Sequence, residues 1–263
     1  MCGIAGYSLS PDARLPRTLA AQALLAGIAE RGADAVGYTH RVPGTTTATT
    51  IKQRTGASKL LARIRVPDTA TQLLLHVRDY TKGHPSVSAN NHPVRHGSVV
   101  GIHNGVILND EEVLAEFPCA RSEPRMTVDS EAIFALAAHS GAEASALEQL
   151  RGSLATAWLD ERVPDAVFLA RGLGRPLWTG IGAVGVFFAS TKRALEIFEA
   201  YVGVKLRKDE VEHGTVLELL HGDVVRRDRF TPQPYVEEDP LPAVRAPREA
   251  EACLSALQSL AAA

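Results

Sequence analysis

The chain opens MCGIAGYSLS, residues 1–10. Positions 2 to 9 are apolar or small and carry no charge, so the stretch reads as a buried strand with a cysteine at its head. Once Met1 is trimmed, Cys2 would carry both a thiol and a free α-amine. An ionised thiol is a strong nucleophile, and an α-amine with a pKa of about 7.7–8.0 is a base matched to neutral pH. The alternative is a Met-Cys start by chance, and the rest of the chain has to separate the two. Gly3 and Gly6 flank Ile4-Ala5 and permit a close approach inside a strand, although simple strand crowding explains them equally well.

Outward from that strand, Leu19, Ala23, Leu24 and Ile28 recur at helical spacing and predict a helix over 18–30, stopped by Gly32. Residues 36–42 and 46–53, split by Pro43-Gly44, predict a hairpin, and 73–77 a buried strand. Residues 82–93 are rich in Gly, Pro, Ser and Asn and form a loop. A strand over 98–103 meets a turn signal at Asn104-Gly105. Short helices follow over 110–117 and 130–139, the second with Asp129 as its N-cap. Strands are then expected over 153–159, 166–171, 177–180 and 184–189, a helix over 191–201, and a hairpin of 214–220 with 223–229. Prolines among charges make 231–247 an extended tail, and 248–260 is amphipathic through Leu254, Leu257 and Leu260. Those leucines pack on their own domain or form a docking face. The order of elements is that of an α+β fold, antiparallel sheets with helices outside, with one domain over 2–230 and a tail and helix over 231–263.

Composition narrows the function classes. The 263 residues are 45% hydrophobic with a net charge of -2, so the chain is globular and has no basic footprint for nucleic acid. The three cysteines, Cys2, Cys119 and Cys253, are odd in number and far apart, which points to a reducing compartment and hence the cytoplasm. No apolar run is long enough for a membrane span or a signal segment. His76, His84, His92, His96 and His103 crowd one stretch, but Pro93 and Gly97 argue against a helix that would align them and no cysteine pair joins them. No metal and no cofactor is expected.

Four groups of residues carry possible chemistry, each with a plainer alternative. Arg31 in RGADAVG (31–37) sits in a turn after a helix, or reaches back to hold an anion. Arg78 in HVRDYTKGHPSVSANNHP (76–93) ends a buried strand, where a guanidinium needs a partner; it grips a carboxylate, with Thr81 adding a hydroxyl, or makes a structural ion pair. Asn104 and Gly105 in GIHNGVILN (101–109) offer adjacent N–H donors suited to an oxyanion, or simply make an Asn-Gly turn. Asp129 in TVDSEAI caps a helix, pairs with a substrate ammonium, or does both.

Taken in order, these stretches resemble class II glutamine amidotransferase domains, members of the N-terminal-nucleophile hydrolases. The matching positions are Cys2-Gly3-Ile4, Arg31-Gly32-Ala33-Asp34 with Gly37, His76-Val77-Arg78 with Thr81 and Gly83, Asn90-Asn91-His92-Pro93, His103-Asn104-Gly105 with Ile107 and Asn109, and Asp129-Ser130-Glu131. The nearest patterns are the glutaminase domains of glucosamine-6-phosphate synthase and amidophosphoribosyltransferase. The resemblance implies a four-layer αββα sandwich and L-glutamine as substrate. It also implies Cys2 as nucleophile, Asn104 and Gly105 as oxyanion donors, Arg78 and Thr81 on the α-carboxylate, Asp129 on the α-ammonium, and Arg31 lining the nucleophile's pocket. The ammonia would pass to a separate synthetase subunit. A stand-alone hydrolase of another γ-glutamyl amide and a non-catalytic glutamine sensor are the alternatives. Asp79-Tyr80 replaces the family's Trp-Ala, and Lys82 its His, so the loop that closes over substrate is built differently here.

Overall fold

The opening stretch is apolar at every position because both of its faces are buried. The structure is a computed structural model that describes residues 2–117, 121–238 and 242–262; Met1 and Cys119 lie outside the described residues. Strand β1 (Gly3–Leu9) leads to α1 (Arg17–Ile28), the hairpin β2 (Ala35–Arg41) and β3 (Thr49–Gln53), α2 (Ala57–Leu61) and β4 (Gln72–Arg78). Then come β5 (Val94–His96), β6 (Val99–Ile107), α3 (Asp110–Ala115), α4 (Glu131–Ser140), β7 (Gly152–Asp160) and β8 (Ala166–Arg171). The chain continues through β9 (Trp178–Gly182), β10 (Gly185–Ala189), α5 (Lys192–Val202), β11 (Arg207–Glu210), β12 (Thr215–Leu220), β13 (Asp223–Arg229) and α6 (Pro247–Ala261).

The strands form two sheets, ordered β11-β9-β10-β1-β4-β2-β3 and β13-β12-β8-β7-β6-β5, with antiparallel neighbours throughout. Side chains alternate between the faces of a strand. Ile4, Leu74 and Phe188 therefore point between the sheets to meet Ile102, Ala157, Leu169 and Leu217. Ala5, Tyr7, Leu75 and Phe187 point outward onto a second core that includes Leu24, Leu25, Leu61, Phe198 and Leu257 from α1, α2, α5 and α6. On the far side, Trp158 and Phe168 pack with Val113 and Phe134 from α3 and α4. Helices, two sheets and helices make four layers, the αββα sandwich that the resemblance implied.

Two local readings are corrected. Strand β6 does not stop at Asn104-Gly105; Asn104 pairs with Ala155 and Gly105 with Leu154, so the dipeptide lies within the ladder. Turn chemistry loses here because β7 supplies a full partner strand. Asp129 is not the cap of α4: the cap position is Ser130, without a side-chain capping bond, and the Asp129 carboxylate is spent elsewhere. Helix α2 and strands β5 and β11 are too short for periodicity to announce. Helix α6 packs on its own domain, with Leu257 buried and Leu254 and Leu260 against the same core. No helix among the described residues is long and apolar enough to cross a membrane.

Gly6 shows how tightly β1 is enclosed. A Cβ there would lie 2.0 Å from the Leu73 carbonyl oxygen and 2.6 Å from the Phe188 ring. Gly6→Ala is expected to lower stability by about 1–3 kcal/mol, the usual cost of overpacking a filled core. Urea unfolding measures it, and an unchanged midpoint would contradict this packing.

Candidate active site

The register of two strands brings the first pair of residues together. Gly3 faces Val77 across β1 and β4, so Cys2 and Arg78, one step further along each chain, leave the sheet side by side. The second sheet contributes β6, tied to β4 where the His76 ring nitrogen Nε2 donates to the His103 carbonyl at 3.0 Å. Between the sheet ends lies a narrow pocket with an accessible volume of about 10 Å³, nearly filled by its own side chains. Its wall includes Cys2, Arg78, Thr81, Gly105 and Asp129, five of the residues expected from sequence. The other two, Asn104 and Arg31, are buried beside them but are not on that wall. A wider, more open groove near Pro11–Arg14 and Asp68 holds none of the residues singled out from sequence, and its Arg17 donates to the carbonyls of Ala70, Leu15 and Ala13.

Each member is held by identifiable contacts. The Cys2 thiol donates to the Asp79 carbonyl at 3.5 Å, and Arg31 Nε donates to the Cys2 carbonyl at 3.3 Å. Arg78 Nη1 donates to Asn91 Oδ1 at 2.6 Å, while Nη2 donates to the carbonyls of Lys82, at 2.9 Å, and Gly83. Asp129 Oδ2 accepts the Ile107 N–H at 2.7 Å. Gly105 has a φ of +152°, and a Cβ on it would lie 1.9 Å from the Ser153 carbonyl oxygen. Only glycine fits this point of β6, and its N–H is left without a side chain to shield it.

Asn104 is the most unusual member. It is fully buried, yet neither its amide nitrogen nor its amide oxygen has a partner. An unmet buried donor costs roughly 1–3 kcal/mol, so such a group in a folded protein calls for an explanation. A donor left open for a ligand is one.

The electrostatics follow from burial. Desolvation pushes the Cys2 thiol up, against the pull of the Asp79 carbonyl and the Arg78 guanidinium, so the sulfur stays protonated at neutral pH. Burial lowers His76 and His103 to about 3 and His92 well below its ordinary value. All three imidazoles are therefore neutral beside a site that already contains two arginines. His103 Nε2 donates to the Ser153 carbonyl, which leaves Nδ1 to accept the Ser130 hydroxyl at 2.9 Å. Among the described residues, no group of His, Cys, Asp or Glu is placed to hold a metal ion. His92 stacks on His76 and His103 lies beside them, while His96 pairs with Glu131, so the sequence cluster is only partly a spatial one.

Several supporting residues carried no role in the sequence reading. Asn91 fixes Arg78, and Asp34 accepts the Tyr80 N–H at 2.9 Å. Asn90 Oδ1 accepts the N–H groups of Thr127 and Val128, setting the approach to Asp129. Lys82 Nζ reaches both oxygens of Asp110, at 2.7 and 2.9 Å, and Asp110 also accepts from Arg121. The adjacent Asn90-Asn91 in a loop full of breakers was the one signal that could have exposed such a scaffold.

Burial raises the Asp129 carboxyl to about 6, with the Ile107 N–H pulling the other way. Between an unfolded value of 3.8 and about 6 the folded state holds a proton that the unfolded chain has released, so this group makes stability fall as pH rises through that window. The full swing is on the order of 3 kcal/mol. Asp129→Asn is expected to remove it. Urea midpoints of the two proteins compared from pH 4 to 7 test this, and identical pH slopes would contradict the raised carboxyl.

Comparison with known proteins bears on the same residues. Residues 76–197 match the family model described as glutamine amidotransferase domain. Glutamine--fructose-6-phosphate aminotransferase [isomerizing] of Shouchella clausii (strain KSM-K16) is 28% identical over 251 residues, covering 88% of this chain and 39% of that protein. The protein of the same name from Escherichia coli (strain K12) is 32% identical over 208 residues, covering 74% of this chain and 32% of the other. The chain thus spans about a third of the length of these curated relatives. Among solved structures, glutamine phosphoribosylpyrophosphate amidotransferase from B. subtilis, complexed with ADP and GMP, superposes with a TM-score of 0.66 at 19% identity, over 88% of this chain and 49% of that one. A glutamine aminotransferase class-II domain protein from Silicibacter pomeroyi gives 0.54 at 16% identity, over 88% of this chain and 100% of that one. At such identities the structural matches speak to the fold.

Proposed function

We propose that this chain, whose residues 76–197 match a glutamine amidotransferase domain, is a class II domain of the N-terminal-nucleophile type and cleaves the side-chain amide of L-glutamine through a thioester on Cys2. We assign residues 2–230 to this domain and 231–263 to a C-terminal arm. The observation that carries the reading is the shared pocket of Cys2, Arg78, Gly105 and Asp129. It offers a nucleophile, a cation for an α-carboxylate, a donor for developing negative charge and an anion for an α-ammonium. The free amino acid amide matches that set of charges end for end.

A protonated thiol needs a base. With Met1 removed, the α-amine of Cys2 takes the thiol proton, directly or through one water, as sulfur attacks the amide carbon. The electron pair of the carbonyl moves onto oxygen, which is met by Asn104 Nδ2 and the Gly105 N–H. Each such donor is worth about 2.7–4 kcal/mol in the transition state. The proton passes to the departing nitrogen, ammonia leaves and a γ-glutamyl thioester remains. Water then attacks the thioester and releases glutamate and the free thiol.

Binding sets up the chemistry. Arg78, with the Thr81 hydroxyl, takes the α-carboxylate, which displaces the Lys82 and Gly83 carbonyls from the guanidinium. Asp129 takes the ammonium, which draws its carboxyl back down toward the ordinary range. Arg31 steadies the Cys2 main chain. Holding both ends of the amino acid fixes the amide against the sulfur, the kind of orientation that removes several kcal/mol from a barrier. The ammonia goes on to an acceptor on a separate synthetase subunit.

Ammonia release from L-glutamine by the Met1-processed protein tests the reading. Cys2→Ala is expected to fall to background, and Arg78→Lys to raise KM by roughly tenfold or more as the bidentate grip is lost. Turnover that survives in Cys2→Ala would remove the mechanism.

A further inference from the structure

The loop that follows β4 covers the pocket, and side chains from three other parts of the chain pin it. Asp34 accepts the Tyr80 N–H, Asp110 binds Lys82, and the Asp79 carboxylate accepts from Arg245 Nε at 3.0 Å. The third contact comes from the far end of the chain. Its backbone is anchored independently of the ion pair: the N–H groups of Arg245 and Ala246 both donate to the Glu30 carbonyl at 2.8 Å. Glu249, in the first turn of α6, accepts the Ser58 N–H at 2.9 Å and its hydroxyl at 3.1 Å, and Cys253 and Leu257 are buried in the core. The guanidinium is thus presented by a held backbone to the residue whose own carbonyl accepts the Cys2 thiol.

We propose that Arg245 is a positioning residue of the glutaminase site, holding Asp79 so that its carbonyl meets the Cys2 sulfur and offsetting the carboxylate that stands beside that sulfur. The C-terminal helix then belongs to the active-site assembly. The inference rests on the reading of Cys2 as the nucleophile.

The groups around Cys2 set the expected effect. Arg78 faces it from β4, Arg31 from the turn after α1, Asp79 and Lys82 from the covering loop, and Asp129 from the turn before α4. His92 and His103 complete the wall as neutral rings. Burial is the main push on the thiol; the Asp79 carbonyl, the positive charge of the chain's α-amine and Arg78 lower it, and the Asp79 carboxylate raises it. Removing Arg245 leaves the Asp79 charge less compensated and moves the thiol further up. The pair is partly exposed, Arg245 at 37% and Asp79 at 18%, so its loss costs little global stability. The main-chain bonds to Glu30 survive a side-chain substitution, so the variant keeps its fold.

The test is the pH dependence of Cys2 alkylation by iodoacetamide, read at the Cys2 peptide by mass spectrometry on the full processed chain. Arg245→Ala is expected to raise the midpoint by about half a pH unit, the scale of one partly solvated charge. Arg245→Lys should keep the wild-type midpoint, and Asp79→Asn with Arg245→Ala should bring it back to or below that value. A superimposable profile in Arg245→Ala overturns the proposal, as does a double variant as displaced as the single one. Because alkylation needs no glutamine, these outcomes are independent of whether glutamine is the substrate.

Discussion

Strand β1 is hydrogen-bonded along both edges, to β4 on one side and β10 on the other, and this double pairing is the constraint on which the site depends. A one-residue slip would turn every side chain of β1 to the opposite face. Ile4 would leave the layer between the sheets and Tyr7 the layer under the helices. The packing of both faces therefore locks the register, and the register places Cys2 next to Arg78. A residue at the head of this central strand is held by its register, although it lies where chains ordinarily fray.

Beside the apolar layer between the sheets, the polar contact that joins them near the site is made by neutral, buried groups. His76 donates to the His103 carbonyl, His103 accepts from Ser130, and Ser153 Oγ accepts the Val106 N–H. Because burial keeps these imidazoles neutral, they connect the layers without adding charge to a pocket that already holds a guanidinium. The pocket itself is left incompletely satisfied. Asn104 has an unpartnered amide, Asp129 is carried above its ordinary range, and the Cys2 thiol is held back from ionising. On the proposed reading, a zwitterionic amide would bring a developing oxyanion to Asn104 and an ammonium to Asp129.

Much of this was legible in the sequence, and the remainder follows a pattern. Strands with both faces buried, such as β1 and β4, announce themselves as charge-free apolar runs, and α1 as helical periodicity. What escaped were short elements such as α2 and β5, and the two positions where a local rule met a stronger tertiary demand. Asn104-Gly105 is a turn dipeptide that β7 holds in a ladder. Asp129 is a good cap residue whose carboxylate is taken by the Ile107 N–H. Arg31, Arg78 and Thr81 each had an ordinary reading, and only their order along the chain pointed to chemistry. The Arg245–Asp79 contact spans 166 positions and has no local signature at all.

The proposed reaction requires Cys2 to bond to the side-chain amide carbon, Cδ, of the bound amino acid. The most direct measurement is covalent capture with a glutamine analogue that carries a diazoketone in place of the amide, followed by intact-mass analysis and peptide mapping. The account predicts one adduct per chain, on Cys2, suppressed by L-glutamine. An adduct on Cys119 or Cys253 alone, or continued glutamine turnover by protein fully modified at Cys2, would contradict it.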